Sequence, residues 1–356
     1  MEWFLVLPAL LLLTTVTNFF TIRNPLFTTA ISESVSVLVP LRNESSNVNG
    51  LINSLKAQNV LTNVEFILLD DNSDDQTLKL LEESTSGLSN FHIIEGSQLP
   101  SGWIGKSWAL QQLLDISKGE IIVSVDGDVR LKPDAISKSI SLMKSSSLDF
   151  ISPYPRQLAL TFAENLIQPL LQWSWMSTVL LRVAERVSFS SMAVANGQFF
   201  VVNKSALEKA GGYESVKSAV LDDVFLARTL VASGAHGVVI NGADIAECRM
   251  YASWNEIKAG YGKSLRYAFG TKFGAFLAAV FLFSTGILPL ILIVTSPSFG
   301  LSAYLLIVFS RLLSALKSKG RLIYAFLHPL SSALLVYLIA YSFFNHKKIQ
   351  WKGRPL

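Results

Sequence analysis

The chain has 356 residues, of which 50% are hydrophobic and 16% charged; soluble domains carry about 25% charge, so the composition argues against a purely soluble protein and excludes intrinsic disorder. The single cysteine, Cys248, excludes an intrachain disulfide framework and a cysteine-built zinc site, and four histidines leave little for a histidine metal cluster. A net charge of +4 suits an anionic lipid surface as well as nucleic acid, and because the bases flank apolar segments the expected partner is a membrane, with no nucleic acid.

Met1 to Phe20 holds one charge, Glu2, and an unbroken apolar run from Trp3 to Leu13. Twenty helical residues span about 30 Å, the thickness of the hydrocarbon core. A cleaved signal peptide needs a basic leader, which is absent, and Arg23 follows the run. An uncleaved anchor over residues 1–22 is expected, with the middle of the chain in the cytoplasm.

Residues 33–255 read as an α/β domain with a mostly parallel sheet. Val35–Val39, Val64–Leu69, Phe91–Ile94 and Ile121–Val125 are near-continuous apolar strands. Helices at Val48–Ala57, Leu78–Glu83 and Lys106–Ser117 alternate with them. Such alternation indicates a sheet covered on both faces, with ligands at the carboxyl ends of its strands.

Those ends are acidic. The first strand runs into Pro40-Leu41-Arg42-Asn43-Glu44, the second into Asp70-Asp71-Asn72-Ser73, and the fourth into Asp126-Gly127-Asp128. Any one of these alone is an ordinary polar turn or helix cap. Three at matching positions converge on one crevice, where mutual repulsion calls for cations or hydrogen-bond donors. Carboxylates one residue apart suit Mg²⁺ or Mn²⁺, whose shell phosphate oxygens complete. No Gly-x-Gly-x-x-Gly or Walker loop follows the first strand, so the expected ligand is a nucleotide diphosphate held by metal, its base near Asp71. Further on, Gly211-Gly212-Tyr213 precedes Asp222-Asp223 at the start of a helix, where a carboxylate serves either as a dipole cap or as a general base.

In this order the motifs resemble inverting family-2 glycosyltransferases of the GT-A fold, over about Val35 to Leu230. The resemblance implies that Asp71 contacts the nucleobase, with Pro40, Arg42 and Glu44 near the nucleoside. It puts Asp126 and Asp128 on the diphosphate and metal, and makes Asp223 the base, with Asp222 beside it. Gly102-Trp103-Ile104-Gly105-Lys106, Gly197-Gln198-Phe199, Cys248-Arg249-Met250-Tyr251 and Trp351-Lys352-Gly353-Arg354 are similar to membrane glycosyltransferases related to carotenoid and hopanoid glycosylation. The family's Gln-x-x-Arg-Trp motif is replaced by Lys263-Ser264-Leu265-Arg266-Tyr267, which argues against polymer synthesis. Lys106 reads as a phosphate contact or a solvated helix-start lysine. Trp103 stacks on sugar or acceptor, or packs in the core, and Gln198 and Arg266 are acceptor-side candidates. Cys248 reads as a small buried hydrophobe.

Leu158 to Val183, with Trp173 and Trp175, reads as a core helix of the domain or as an interfacial helix with its tryptophans at headgroup depth. Residues 256–272 form a basic interfacial linker holding Lys258, Lys263, Arg266 and Lys272. Residues 273–345 hold two to three spans, or a re-entrant segment bent at Pro329, and 346–356 form a basic tail. Three ordinary spans would put the tail outside, whereas positive-inside charge wants it in the cytoplasm.

The expected protein is a multi-pass cell-membrane enzyme with a cytoplasmic catalytic domain. It moves one sugar from a nucleotide-diphosphate sugar, a UDP-sugar foremost, to a lipid acceptor. A polyprenyl-phosphate sugar synthase is the alternative, and a non-catalytic membrane scaffold a third.

Overall fold

The computed structural model describes residues 3–187, 189–345, 350–351 and 354–355; the tail cations Lys347, Lys348 and Lys352 lie outside the described residues. The chain begins with α1 (Trp3–Thr21), β1 (Val35–Leu41), α2 (Val48–Lys56), β2 (Val64–Asp70), α3 (Thr77–Thr85), β3 (Phe91–Glu95), α4 (Gly105–Ile116), β4 (Ile121–Val125) and β5 (Val129–Leu131). It continues through α5 (Ala135–Ser145), β6 (Phe150–Tyr154), β7 (Arg156–Gln157), α6 (Phe162–Thr178), α7 (Leu181–Ala184), β8 (Phe199–Asn203), α8 (Lys204–Lys209), α9 (Asp222–Ala232), β9 (Gly237–Asn241) and β10 (Ala246–Cys248). It ends with α10 (Trp254–Phe269), α11 (Lys272–Leu282), a π-helical turn (Phe283–Ile287), α12 (Leu288–Thr295), α13 (Pro297–Lys317), α14 (His328–Phe344), β11 (Gln350–Trp351) and β12 (Arg354–Pro355).

These elements fall into two units. One comprises Arg23–Arg156 and Val183–Cys248; the other comprises the chain up to Ile22, Gln157–Arg182, and the chain from Arg249 onward. The continuous domain expected over 33–255 is therefore interrupted: residues 157–182 belong to the helical unit.

The α/β unit is built on a seven-stranded sheet in the order β3-β2-β1-β4-β8-β6-β9. All neighbours are parallel except β8, which runs antiparallel to β4 and β6. Its central strands are apolar because both faces are covered: every residue of β4 is buried, and every residue of β1 but Pro40. α2 shows how a covering helix is specified, with Val48, Leu51, Ile52 and Leu55 buried at helical spacing. The chain winds outward from β1 to β3 and then returns to β4 on the other side of β1. That reversal leaves a crevice at the carboxyl ends of β1 and β4.

The helical unit gathers α1, α6 and α10 to α14. Among the described residues, three of its helices are long and apolar enough to cross a membrane: Trp3–Thr21, Lys272–Thr295 and Pro297–Lys317. α13 runs unbroken through Arg311. α1 and α13 run in the same direction, since Thr15 Oγ1 meets Ser310 Oγ at 2.7 Å and the Lys317 ammonium lies over the Phe19 ring. α12 and α13 form a tight hairpin in which Gly300 approaches the backbone of Ile293 too closely for any side chain.

After α13 the chain turns back along it, and the Tyr304 hydroxyl donates to the Phe326 carbonyl at 2.8 Å. α14 then starts beside Thr285 and ends on α10, where the Arg266 amide donates to Ser342 Oγ. At 17 residues α14 is shorter than the three candidate spans. The expected linker is itself a helix, α10, opened by a Ser253–Glu256 capping box.

The reading of Leu158–Val183 needs correction. α6 is a core helix, but of the helical unit, and its tryptophans are not at a surface. Trp173 is 1% exposed and its indole donates to Ser310 Oγ at 2.8 Å; Trp175 is also buried. Asn18 of α1 completes the end of α6 by donating to the Met176 and Val179 carbonyls.

Candidate active site

The crevice is assembled from loops that each strand delivers in register. Leu41 and Asp70 end β1 and β2 as paired residues, and the Asp71 amide donates to the Leu41 carbonyl at 2.7 Å. On the other side, β4 and β8 pair Val125 with Phe199, so the Asp126 amide donates to the Gln198 carbonyl at 3.0 Å. α9 brings Asp222 and Asp223 on its first turn. α4 brings Lys106, one residue past its start.

Lys106 joins these parts. Its ammonium sits 2.7 Å from Asp126 Oδ1 and 3.9 Å from Asp222 Oδ2. Burial alone would lower the Lys106 pKa, but Asp126, Asp222 and Asp223 overcome that and push it above the ordinary lysine range. The ammonium is thus a fixed positive charge among three carboxylates. Of the two expectations for Lys106, the solvated one is set aside, because the side chain is only 20% exposed and ion-paired.

Asp223 is anchored by backbone. Its Oδ2 accepts from the Gly197 amide at 2.7 Å and its Oδ1 from the Val224 amide at 2.8 Å. Burial, and then the neighbouring Asp222, nevertheless raise its pKa to about 6. Asp128 is likewise pushed up to about 6, by burial and by Asp126, against a hydrogen bond from the Cys248 thiol. Its Oδ1 is buried without a hydrogen-bond partner among the described residues.

Gly197 has a steric reason to be glycine. A Cβ there would stand 3.1 Å from both Asp223 Cβ and Lys106 Nζ. The Gly197→Ala protein should therefore fold but displace Asp223 by a few tenths of an ångström. A misplacement of 1 Å costs about 10²-fold in rate, so we expect a loss of about tenfold in turnover with donor affinity kept. Steady-state kinetics on purified protein check this, and unchanged turnover would count against a positional role for Asp223.

The remaining expected residues divide. Glu44 joins the acidic cluster: a Cβ on Gly127 would meet its Cδ at 3.3 Å, and its charge helps raise Asp126 and Asp128. Pro40 lies in β1, paired with Leu69. Arg42 uses its guanidinium on protein groups, donating to the Asp71 and Asn72 carbonyls at 2.5 and 2.6 Å. It braces the loop that carries Asp71. The Gln198 side-chain amide donates to Cys248 Sγ at 2.8 Å. Trp103 packs edge-on against Trp108, and the Lys217 ammonium lies 5.9 Å over its ring. Arg266 belongs to α10 of the helical unit.

Two features escaped the sequence. Arg130 donates to the Gly127 and Val129 carbonyls and to Asn47 Oδ1, while Asn47 Nδ2 donates to Glu44 Oε2 at 2.6 Å. This chain of bonds holds Glu44 against the Asp-Gly-Asp turn; the only hint was a cation two residues past Asp128. Cys248 is buried as expected, but it touches Asp128 and Gln198 and so belongs to the polar wall of the site.

An acidic crevice with one captive lysine, at the reversal of a mostly parallel sheet, is the setting in which comparison with known proteins becomes specific. Residues 36–211 match the family described as Glycosyl transferase family 2. That segment carries the family's domain. A 4,4'-diaponeurosporenoate glycosyltransferase of Staphylococcus haemolyticus is 25% identical, over 91% of this chain and 88% of that protein. A beta-monoglucosyldiacylglycerol synthase of Trichormus variabilis is also 25% identical, over 54% of this chain but only 40% of that enzyme. Among solved structures, a mannosyltransferase from Pyrobaculum calidifontis, in complex with GDP-Man and Mn²⁺, matches over 99% of both chains with a TM-score of 0.55 and 15% identity. That likeness is one of fold, and this glycosyltransferase has the GT-A α/β fold that its motifs implied.

Proposed function

We propose that the protein transfers a single sugar, with inversion, from a nucleotide-diphosphate sugar to the hydroxyl of a membrane lipid. The observation that carries this reading is the Lys106–Asp126–Asp222–Asp223 cluster at the carboxyl ends of β1 and β4, with Asp223 raised to about 6. A carboxylate titrating near neutrality and held by two backbone amides suits the base that takes the proton of an attacking hydroxyl. Asp71, held by the brace from Arg42, fits the nucleobase. Lys106 keeps Asp126 and Asp222 in place and supplies positive charge where the diphosphate departs. The carotenoid and diacylglycerol relatives support a lipid acceptor.

A divalent cation fits the residues present. No set of three or more His, Cys, Asp or Glu side chains among the described residues is placed to hold a metal by itself. Asp126 and Asp128 instead offer a two-carboxylate site, and the buried Oδ1 of Asp128 lacks a partner. Magnesium and manganese accept such partial sites because phosphate oxygens complete their shells. Bound there, Mg²⁺ or Mn²⁺ would neutralise the charge of the leaving diphosphate.

The helical unit supports a membrane location with the catalytic unit on the cytoplasmic side. Since α1 and α13 run in the same direction and α12 returns against α13, the Thr21, Lys272 and Lys317 ends share one side. With α14 as the re-entrant arm, Lys258, Lys263, Arg266 and Lys272, together with Lys317, Lys319 and Arg321, all fall on that side, as positive-inside charge requires.

The test is transfer of labelled sugar from UDP-glucose or GDP-mannose into solvent-extractable lipid by membranes carrying the protein, with Mn²⁺ and then with chelator. Label in lipid that disappears with chelator supports the reading, and label only in water-soluble product opposes it. The pH profile adds a signed expectation. Asp223 must be ionised to act, so kcat/KM, which reports the free enzyme, should fall about tenfold per pH unit below about 6 and level off above it. A profile flat from pH 5 to 8 would remove Asp223 from the role of base.

A further inference from the structure

The helical unit holds a polar cluster that the reaction does not use. Arg311 of α13 is 3% exposed, and its Nη1 has no hydrogen-bond partner among the described residues. No carboxylate forms an ion pair with it among the described residues. Its guanidinium lies 5.8 Å from the centroid of the Trp173 ring, and the His328 ring packs edge-on against the same tryptophan with centroids 4.8 Å apart. His328 is 1% exposed; its Nε2 faces Ser332 Oγ at 3.2 Å and Thr285 Oγ1 at 3.4 Å, while its Nδ1 has no partner among the described residues. In the same turn, Ser331 Oγ is buried and equally without one. A guanidinium keeps its charge in a protein, and a buried ion without a counter-charge is among the costliest things a fold can hold. Cations between membrane helices therefore pair with something or mark a ligand site.

An apolar cavity lies next to this cluster. It measures about 450 Å³ and is lined by Ala279, Val280, Phe283, Ile287, Ser332 and Val336, among others. Ser332 is shared by cavity and cluster. The π-helical turn Phe283–Ile287 forms one wall, and such turns often stand at functional sites. At Gly286 the wall comes so near α14 that a Cβ would lie 2.5 Å from Ser332 Oγ. Val280 and Phe283 are exposed on the outside of the unit, so the cavity opens where a bilayer would lie.

We propose that this site holds one membrane lipid, its phosphate on Arg311 and the first turn of α14 and a hydrocarbon chain in the cavity beside the π-helical turn. A phosphate suits the donors better than a carboxylate does, because unpartnered groups on two helices call for an anion with several acceptor oxygens. The proposal rests on the reading that the helical unit spans a membrane. It does not depend on the identity of the acceptor.

The experiment is native mass spectrometry of the full chain in mild detergent, titrated with phosphatidylglycerol, diacylglycerol and oleate. One phosphatidylglycerol should be retained with a Kd at least about tenfold below those of the other two. Arg311→Met should abolish that preference, and Arg311→Lys should keep part of it. Equal retention of phosphatidylglycerol and diacylglycerol by the wild type overturns the proposal, and so does a preference for oleate. If Arg311→Met does not fold, the wild-type titration and Arg311→Lys still decide the matter. Carbonate washing and flotation of vesicles separate the two readings. A protein that stays with the vesicles but shows no lipid preference sinks the site alone, and one that washes off sinks the membrane reading.

Discussion

The Asp223→Asn protein is expected to turn over about 10²- to 10⁴-fold more slowly than the wild type, the range that a positioned general base supplies. Donor affinity should hardly move, because both carboxylate oxygens of Asp223 are engaged by the Gly197 and Val224 amides and the ion pair of Lys106 with Asp126 is left in place. The substitution has a structural cost of its own. An asparagine has one acceptor oxygen, so it cannot serve both amides, and its amino group faces one of them. Thermal unfolding should be followed beside the kinetics, and the Asp223→Ala protein, which presents no misplaced donor, should be as slow. A lipid phosphate as acceptor needs little help from a base. Retention of more than about a third of wild-type turnover would therefore turn the function toward the polyprenyl-phosphate alternative.

The second large effect concerns Asp126 and Asp128. Asp128→Asn removes a carboxylate that burial already disfavours, so the ligand-free protein should be no less stable. Its donor binding should lose all response to Mn²⁺, and turnover should drop about a hundredfold or more. Asp126→Ala should do the same and in addition release the Lys106 ammonium, whose nearest remaining carboxylate is Asp222 at 3.9 Å. Donor titrations with and without Mn²⁺ distinguish these outcomes from misfolding, since the proposed nucleobase site at Asp71 is left untouched. Metal-stimulated binding that survives in Asp128→Asn would remove the metal from this pair.

The crevice was legible in the sequence for a physical reason. Parallel strands buried on both faces are apolar throughout, so the first polar residue after each one marks the sheet's carboxyl edge. Arg42, Asp70 and Asp126 mark the edge in this way, and Glu44, Asp71 and Asp128 follow within two residues of them. What could not be read lies in pairings distant along the chain. Cys248 reaches Asp128 because β10 pairs with β5, across more than a hundred residues, and nothing near Cys248 distinguishes that setting from a hydrophobic core. Arg130 and Asn47 meet for the same kind of reason. α6 misled because an apolar helix with glutamines reads alike in either unit; only its packing on Leu11 and Ile307 decides where it belongs. Trp103 and Arg266 were singled out by motif likeness alone, and neither stands in the acidic cluster.

The chain crosses between the two units four times, and this interleaving constrains how the protein is made on a ribosome. By the time Thr178 has emerged, the sheet still lacks β8, β9 and the acidic turn of α9, while α6 is present with only α1 of its eventual helical neighbours. The acidic cluster closes only after Asp223 is synthesised, and the helices that bury Trp173 arrive later still, with Ile307 and His328. For a considerable stretch of translation the nascent chain must therefore carry an apolar helix without its final cover. Insertion machinery or a chaperone acting on α6 during that interval would then limit yield more than the stability of either finished unit. Arrest of translation near residue 250, followed by crosslinking from position 171 on the exposed side of α6, would reveal what shelters it.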